Sequence, residues 1–234
     1  MTSPESVVPP SQSIDAYDLA RAAVADPKRL AALHATGLLD SDVEEVFDRM
    51  SRLAARLLGV PATFLSLVDA KRDFYKSSTG FGEPLASQRQ MTGPTFCHFA
   101  IQSTEPLVIP DTAGDPVYRD VPTVKSLGVA AYLGVPIVIG SQPIGSLCAI
   151  DVKPRAWDER DIEVLTELAA SAQREIELRG ALRRAEELAA QIMEQAVDLS
   201  IRAAEAEALN DELRRLRTGA TGSAPAAERE ARAD

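Results

Sequence analysis

Histidine and cysteine are scarce in this chain of 234 residues, which has two of each. No Cys/His set stands at zinc spacing, no Gly-rich loop at phosphate-cradling spacing, and no Ser-His-Asp elbow is present. The familiar metal, phosphoryl-transfer and serine-hydrolase patterns are therefore missing, and neither a catalytic residue nor a metal site is expected. Positive charge is also short, with 25 Lys and Arg against 35 Asp and Glu and a formal net charge of −10. Phosphate backbones and anionic lipid surfaces repel such a chain, so no nucleic acid or membrane partner is expected. Arg214, Arg215 and Arg217 read as cations favoured near a helix C-terminus. No apolar run approaches the roughly 20 residues that span a bilayer. The N-terminal stretch MTSPESVVPPSQS has neither the basic nor the apolar region of a secretion signal. A cytoplasmic protein is the expectation.

What is present divides the chain into four parts. Residues 1–28 read as a disordered segment rich in Pro and Ser, followed by a short helix over Ile14–Ala25 that Pro27 ends. Residues 29–157 read as one domain, large enough to fold without staples. It opens with a short helix over Arg29–Thr36. Over Glu44–Leu58, Val46, Phe47, Met50, Leu53, Ala54, Leu57 and Leu58 recur at steps of three and four, which predicts an amphipathic helix. Asp42 or Ser41 is the expected cap, and Gly59 suits its end. Strands are predicted at Pro61–Val68, Phe74–Ser78 and Leu107–Pro110, and short helices at Pro94–Gln102 and Pro122–Leu127. Thr79–Thr92 reads as a long polar loop. The stretch Leu127–Asp151, LGVAAYLGVPIVIGSQPIGSLCAID, is two β-rich runs around Gly140-Ser141-Gln142, the form of a buried antiparallel hairpin. The predicted fold class is α+β, a mostly antiparallel sheet flanked by helices.

Residues 158–217 read as one long helix starting at Asp158. Ile162, Leu165, Ala169, Ala172 and Ile176 alternate steps of three and four. After a phase slip near Gly180 the pattern resumes through Leu182, Ala185, Ala189, Ile192, Ala196, Leu199, Ala203, Ala206, Asn210 and Leu213. Spacing sustained over more than four heptads predicts a coiled-coil seam and a homodimer. Its many alanines bury little area, so a weaker pairing than an Ile/Leu zipper is expected. Asn210 suits register-fixing. Residues 218–234 are expected to be disordered.

The hairpin, with VPATFLSLVD at Val60–Asp69, FCHFA at Phe96–Ala100 and PLVIPD at Pro106–Asp111, resembles the GAF domain. This is a small sensor module of bacterial signalling proteins. The resemblance covers roughly Leu30–Arg179 and includes the entry RLAALHAT at Arg29–Thr36, but it does not supply the ligand. It implies a pocket between the sheet and its helix–loop cover, lined by Phe64, Ser66, Phe74, Lys76, Phe96, Cys97, Tyr118 and Tyr132. Bilin-binding relatives attach their chromophore to a Cys on the helix before the hairpin, where Pro122–Ser126 has none. Free methionine sulfoxide reductases of this fold use a reactive Cys in that same region, and Cys97 resembles only the resolving position. The Asn-Lys…Phe…Asp-Glu signature of cyclic-nucleotide binders has a faint echo in Lys71-Arg72-Asp73-Phe74. For haem, His98 is a conceivable ligand, whereas His34 lies outside the expected pocket. Neither bilin nor haem is expected.

Cys97-His98 remains the one pair with chemistry, since a Cys at a helix start is a candidate thiolate. Adjacent helical residues point about 100° apart and do not face each other, so a core role is weighed beside the redox one. Cys148 reads as core. Asp111, Asp115 and Asp120 read as turn and cap residues. The expected function is a non-enzymatic sensor or adaptor that binds an unidentified small molecule and relays through the helix to a downstream protein. Two alternatives stay open: a Cys97-based redox sensor or thiol redox enzyme, and a purely structural dimerisation scaffold.

Overall fold

The β-rich hairpin forms the middle of a six-stranded sheet of order β3-β2-β1-β6-β5-β4, with every pairing antiparallel. The computed structural model describes residues 15–221. The strands are β1 (Ala62–Val68), β2 (Asp73–Thr79), β3 (Gln90–Met91), β4 (Leu107–Ile109), β5 (Ala131–Ile139) and β6 (Gln142–Asp151). The helices are α1 (Ala16–Ala25), α2 (Pro27–Ala35), α3 (Glu45–Leu58), α4 (Leu85–Gln88), α5 (Phe96–Ala100), α6 (Pro122–Ser126) and α7 (Glu159–Thr221). The architecture is the expected α+β one with a long C-terminal helix. The expected disorder before Ser13 and beyond Thr221 lies outside the described residues, and the helix runs past Thr218, where a tail was expected to begin.

Alternation along the strands splits the core in two. Leu65, Leu67, Leu133, Ile137, Leu147 and Ala149 face α3 and the first turns of α7, meeting Phe47, Ala54, Leu165 and Ile176. Phe64, Val68, Tyr132, Cys148 and Ile150 face α5 and α1 on the other side. Buried on both faces, the central strands read as continuous apolar runs and not as alternating ones.

Three local details differ from the sequence expectation. Asp42 and Ser41 do not cap α3, because the helix starts later, at Glu45, with Glu44 at the cap position and no side-chain cap bond; Ser41 Oγ and the Asp42 carbonyl accept from Lys76 Nζ. Thr79–Thr92 is not a plain loop, since it holds α4 and β3, and β3 extends the sheet beside β2. The hairpin turn has two residues, Gly140 and Ser141, both at positive φ (55° and 69°), with Gln142 already paired to Ile139. That matches a type I′ turn, whose twist suits the flanking strands.

The chain divides into two compact units, Met1–Gly180 and Ala181–Asp234. Within the first, Trp157 Nε1 donates to the Ile109 carbonyl, and Asp158 Oδ1 accepts from the Asp161 amide at 2.8 Å, capping α7. Within the second, large apolar side chains are exposed, among them Leu182, Ile192, Leu199 and Leu213, each more than half accessible. No helix among the described residues is long and apolar enough to cross a membrane.

Candidate functional site

A small cavity lies on the α5 face of the sheet. Its walls are Phe64 of β1, Tyr75 of β2, Phe81 after β2, Thr95, Phe96 and Cys97 at the start of α5, Thr123 of α6, Leu127, Val129, Tyr132 of β5 and Ile150 of β6. Its volume is about 20 Å³, room for little more than one water. Aromatic rings fill the rest: Phe96 stacks on Tyr132 at 5.0 Å, and Phe64, Tyr75 and Phe81 form a triangle with centroid separations of 5.1–5.3 Å. Phe81, Leu127 and Ile150 also border an outer cleft of about 380 Å³ floored by Gly80, Gly82 and Pro84. Phe81 thus stands between cleft and cavity.

Of the residues assigned to the pocket from sequence, Phe64, Phe96, Cys97 and Tyr132 line the cavity. Ser66 follows Phe64 on the same face, fully buried, and its hydroxyl has no hydrogen-bond partner. Tyr118 packs behind α5 against Phe96 and Phe99 without reaching the cavity.

Phe74 and Lys76 require correction, because both face the opposite side of the sheet. Strand β2 carries a bulge against β1: Leu65 pairs with Ser77 and Ser66 with Tyr75, leaving Lys76 as the extra residue. One inserted residue breaks the simple alternation. The break falls between Lys76 and Ser77, while Tyr75, opposite Ser66 of β1, takes the cavity side by regular pairing. Phe74 joins the α3 core beneath the Arg89 guanidinium, 4.9 Å from its ring. Ser77, also on the α3 side, shares a buried hydrogen bond with Ser51 at 2.6 Å. The phase of β2 is set by its register against β1, so Tyr75 was not legible as a lining residue. Ile150 was legible, by its two-residue step from Cys148.

Lys76 is fully buried and salt-bridged to Glu44 Oε1 at 2.6 Å. Glu44 also pairs with Arg179 in α7, and both cations lie over the Phe47 ring, at 5.5 and 5.1 Å. Partial burial pushes the Glu44 carboxyl up, but hydrogen bonds from Lys76 and Arg179 outweigh it and hold the group below its ordinary value. This network ties the bulge of β2 to α7 within the first unit.

Behind the cavity, Cys97 and Cys148 stand with their sulfurs 3.9 Å apart, both buried and unbonded. Tyr132 Oη and Ser146 Oγ lie 3.1 and 3.0 Å from Cys148 Sγ. The Tyr132 ring reaches it by folding over Gly134, where a Cβ would stand 2.3 Å from the phenol oxygen. Burial, then the neighbouring Cys148, pushes the Cys97 thiol well above its ordinary value. Burial does the same to the Tyr132 and Tyr75 phenols. His98 does not form a couple with Cys97. Its Nε2 meets Asp73 Oδ1 at 3.1 Å, and Thr95 Oγ1 donates to the other Asp73 oxygen. Among the described residues no group of three or more His, Cys, Asp or Glu could hold a metal ion. Asp111 and Asp115 accept bonds from the amides of Ala113, Gly114, Val117 and Tyr118, as turn residues do.

A family model described as GAF domain matches residues 42–176. A cyclic di-GMP phosphodiesterase of Pseudomonas aeruginosa is 30% identical over 144 residues, 60% of this chain, and the match spans 24% of that protein's length. Among solved structures, the PixJ GAF domain of Thermosynechococcus elongatus in its blue-light-absorbing form gives a TM-score of 0.50 at 20% identity, covering 71% of this chain and 96% of that one. The GAF domain of an Acinetobacter phosphoenolpyruvate-protein phosphotransferase gives 0.50 at 18% identity, covering 67% and 96%. These structural likenesses concern the fold.

Proposed function

The chain belongs to the GAF domain family, and from that premise we propose a non-enzymatic cytoplasmic sensor or adaptor. Its domain binds a small molecule, and a homodimeric coiled coil carries the change to a downstream signalling protein. The observation that carries this reading is the pair of consecutive residues Tyr75 and Lys76. Tyr75 lines the cavity, and Lys76 holds Glu44, which in turn holds Arg179 of α7. A ligand that moves β2 is thereby felt at the helix.

The ligand is a small organic molecule with an apolar body, because the inner walls are almost wholly aromatic and aliphatic. Displacement of Phe81 joins the cavity to the outer cleft of about 380 Å³, a volume within the range of small-molecule sites. A ligand preferring the open arrangement shifts the population toward it.

The partner of the second unit is another copy of this chain. Leu182, Ala185, Ala189, Ile192, Ala196, Leu199, Asn210 and Leu213 repeat at seam spacing, and their large members are exposed in the single chain. Two Asn210 amides bond each other only when the helices align, which favours a parallel, in-register pair. The cytoplasmic placement is supported by the sparse cysteines.

Native mass spectrometry of protein taken from its own cell tests the reading. The expected result is a dimer carrying a bound small molecule. An empty monomer at micromolar concentration removes the reading. Cross-linking between cysteines introduced along 182–213 should also respond to the bound molecule, and indifference to it removes the relay.

A further inference from the structure

The two cysteines lie on different elements, Cys97 on α5 and Cys148 on β6, yet their sulfurs meet at 3.9 Å in the core. A disulfide needs about 2.05 Å between sulfurs, so the pair must close by about 1.9 Å, within the reach of rotamer change and a small helix shift. Cys97 lines the cavity, and the cavity holds about 20 Å³. With Phe81 in place, that volume admits a molecule slightly larger than water and excludes a bulky disulfide such as oxidised glutathione. The Ser66 hydroxyl is buried without a partner, and it favours the ionised form of Cys97.

We propose that Cys97 and Cys148 are a redox pair that a small peroxide converts into an intramolecular disulfide. The Cys97 sulfur attacks one peroxide oxygen, the O–O bond breaks, and the leaving oxygen takes the thiol proton and departs as water or alcohol. Cys97 is then a sulfenic acid. The Cys148 sulfur attacks the Cys97 sulfur, the S–O bond breaks, and the hydroxyl leaves with the Cys148 proton as a second water. Two thiols are oxidised by two electrons and one peroxide is reduced. Burial disfavours the Cys97 thiolate, so the reaction is slow and suits a sensor of sustained oxidant rather than a scavenger. The bond ties α5 to β6 directly behind the cavity, and a thiol reductant reverses it. This pair is independent of any organic ligand.

The test treats the folded, reduced full chain with hydrogen peroxide or with oxidised glutathione. Remaining thiols are then blocked under denaturing conditions, and the intact mass and peptide map are read. The expected result with peroxide is loss of two hydrogens, both thiols unavailable to the blocking reagent, and a peptide linking Cys97 to Cys148 within one chain. Cys148→Ser should stop at a Cys97 sulfenic acid that dimedone traps. Recovery of both thiols after peroxide, or a disulfide found only between chains, overturns the proposal. A glutathione adduct on Cys97 of the folded chain overturns the small-oxidant assignment. The outcomes that overturn the proposal are all read on the wild-type chain, so misfolding of Cys148→Ser does not decide it.

Discussion

Lys76 Nζ lies 2.6 Å from Glu44 Oε1, with the lysine side chain wholly shut from solvent and the glutamate side chain 29% exposed. Each of the ammonium protons has an acceptor: Ser41 Oγ and the Asp42 carbonyl, each at 2.6 Å, take the other two. Lys76→Ala leaves those acceptors unpaired and opens space beside Phe47. Removing one partner of a buried pair costs about 3–5 kcal/mol. Glu44 keeps Arg179, so the loss should fall near the lower end. A lowered urea midpoint with an unchanged slope checks it.

The same network makes stability depend on acid. The Glu44 carboxyl sits below its ordinary value in the folded chain, so its contribution is complete above the unfolded value, about 4.3. It is lost as pH falls through the folded value. The stability gap between wild type and Glu44→Gln should therefore shrink as pH drops from neutral to below 4, and high salt should narrow it, because Glu44 is partly exposed. Urea titrations at several pH values measure it, and a gap independent of pH would falsify the ion-pair account.

Gly145 of β6 lies tight against β1, opposite Leu67. A Cβ there would stand 2.0 Å from the Ser66 carbonyl oxygen, whereas one at Gly82 meets nothing within 4 Å. Gly145→Ala should reach or exceed the upper end of the roughly 1–3 kcal/mol seen for overpacking. Gly82→Ala should stay within about 0.5 kcal/mol, as surface changes do. Thermal melts of the two variants side by side decide the point.

Phe96 and Phe81, two of the three phenylalanines at the cavity, should differ in the same direction as their burial. Phe96 is 3% exposed and stacks on Tyr132, so Phe96→Ala should cost about 3–5 kcal/mol. Phe81 is only partly buried, so Phe81→Ala should cost less and should join the cleft to the cavity. Faster uptake of a small apolar fluorophore by Phe81→Ala than by wild type is the expected readout.

Lysine substitution at Ile192 and Leu199 together should abolish self-association. Both side chains are exposed in the single chain, so the first unit should keep its melting behaviour. Sedimentation equilibrium should show a dimer for wild type and a monomer for the double variant.

The apolar hairpin, the amphipathic period of α3 and the three-four spacing beyond Asp158 were sufficient to specify the α+β layering and the long C-terminal helix. These signals are local: a period of two or of 3.6 residues, a turn glycine and a capping carboxylate all act within a few residues of themselves. Phe64, Phe96, Cys97 and Tyr132 were placed by strand alternation and family resemblance together. The bulge in β2 was invisible, since two residues opposing one depends on the partner strand and not on the bulged one. Register against β1, which sets Phe74 opposite Leu67 and Tyr75 opposite Ser66, put Phe74 on the α3 face and Tyr75 at the cavity, and the bulge placed Ser77 beside Lys76 on the α3 face. The pairing of β3, the position of Phe81 and the meeting of Cys97 with Cys148 likewise required the folded chain, because each joins residues far apart in sequence.

Sequence alone therefore determined which segments coil, which extend and which way most side chains turn, since those preferences are written in neighbouring residues. Tertiary structure decided whether the hollow is open, what stands behind it and which charge answers Lys76. Those outcomes depend on how separate segments crowd one another, and crowding has no signature in any one of them.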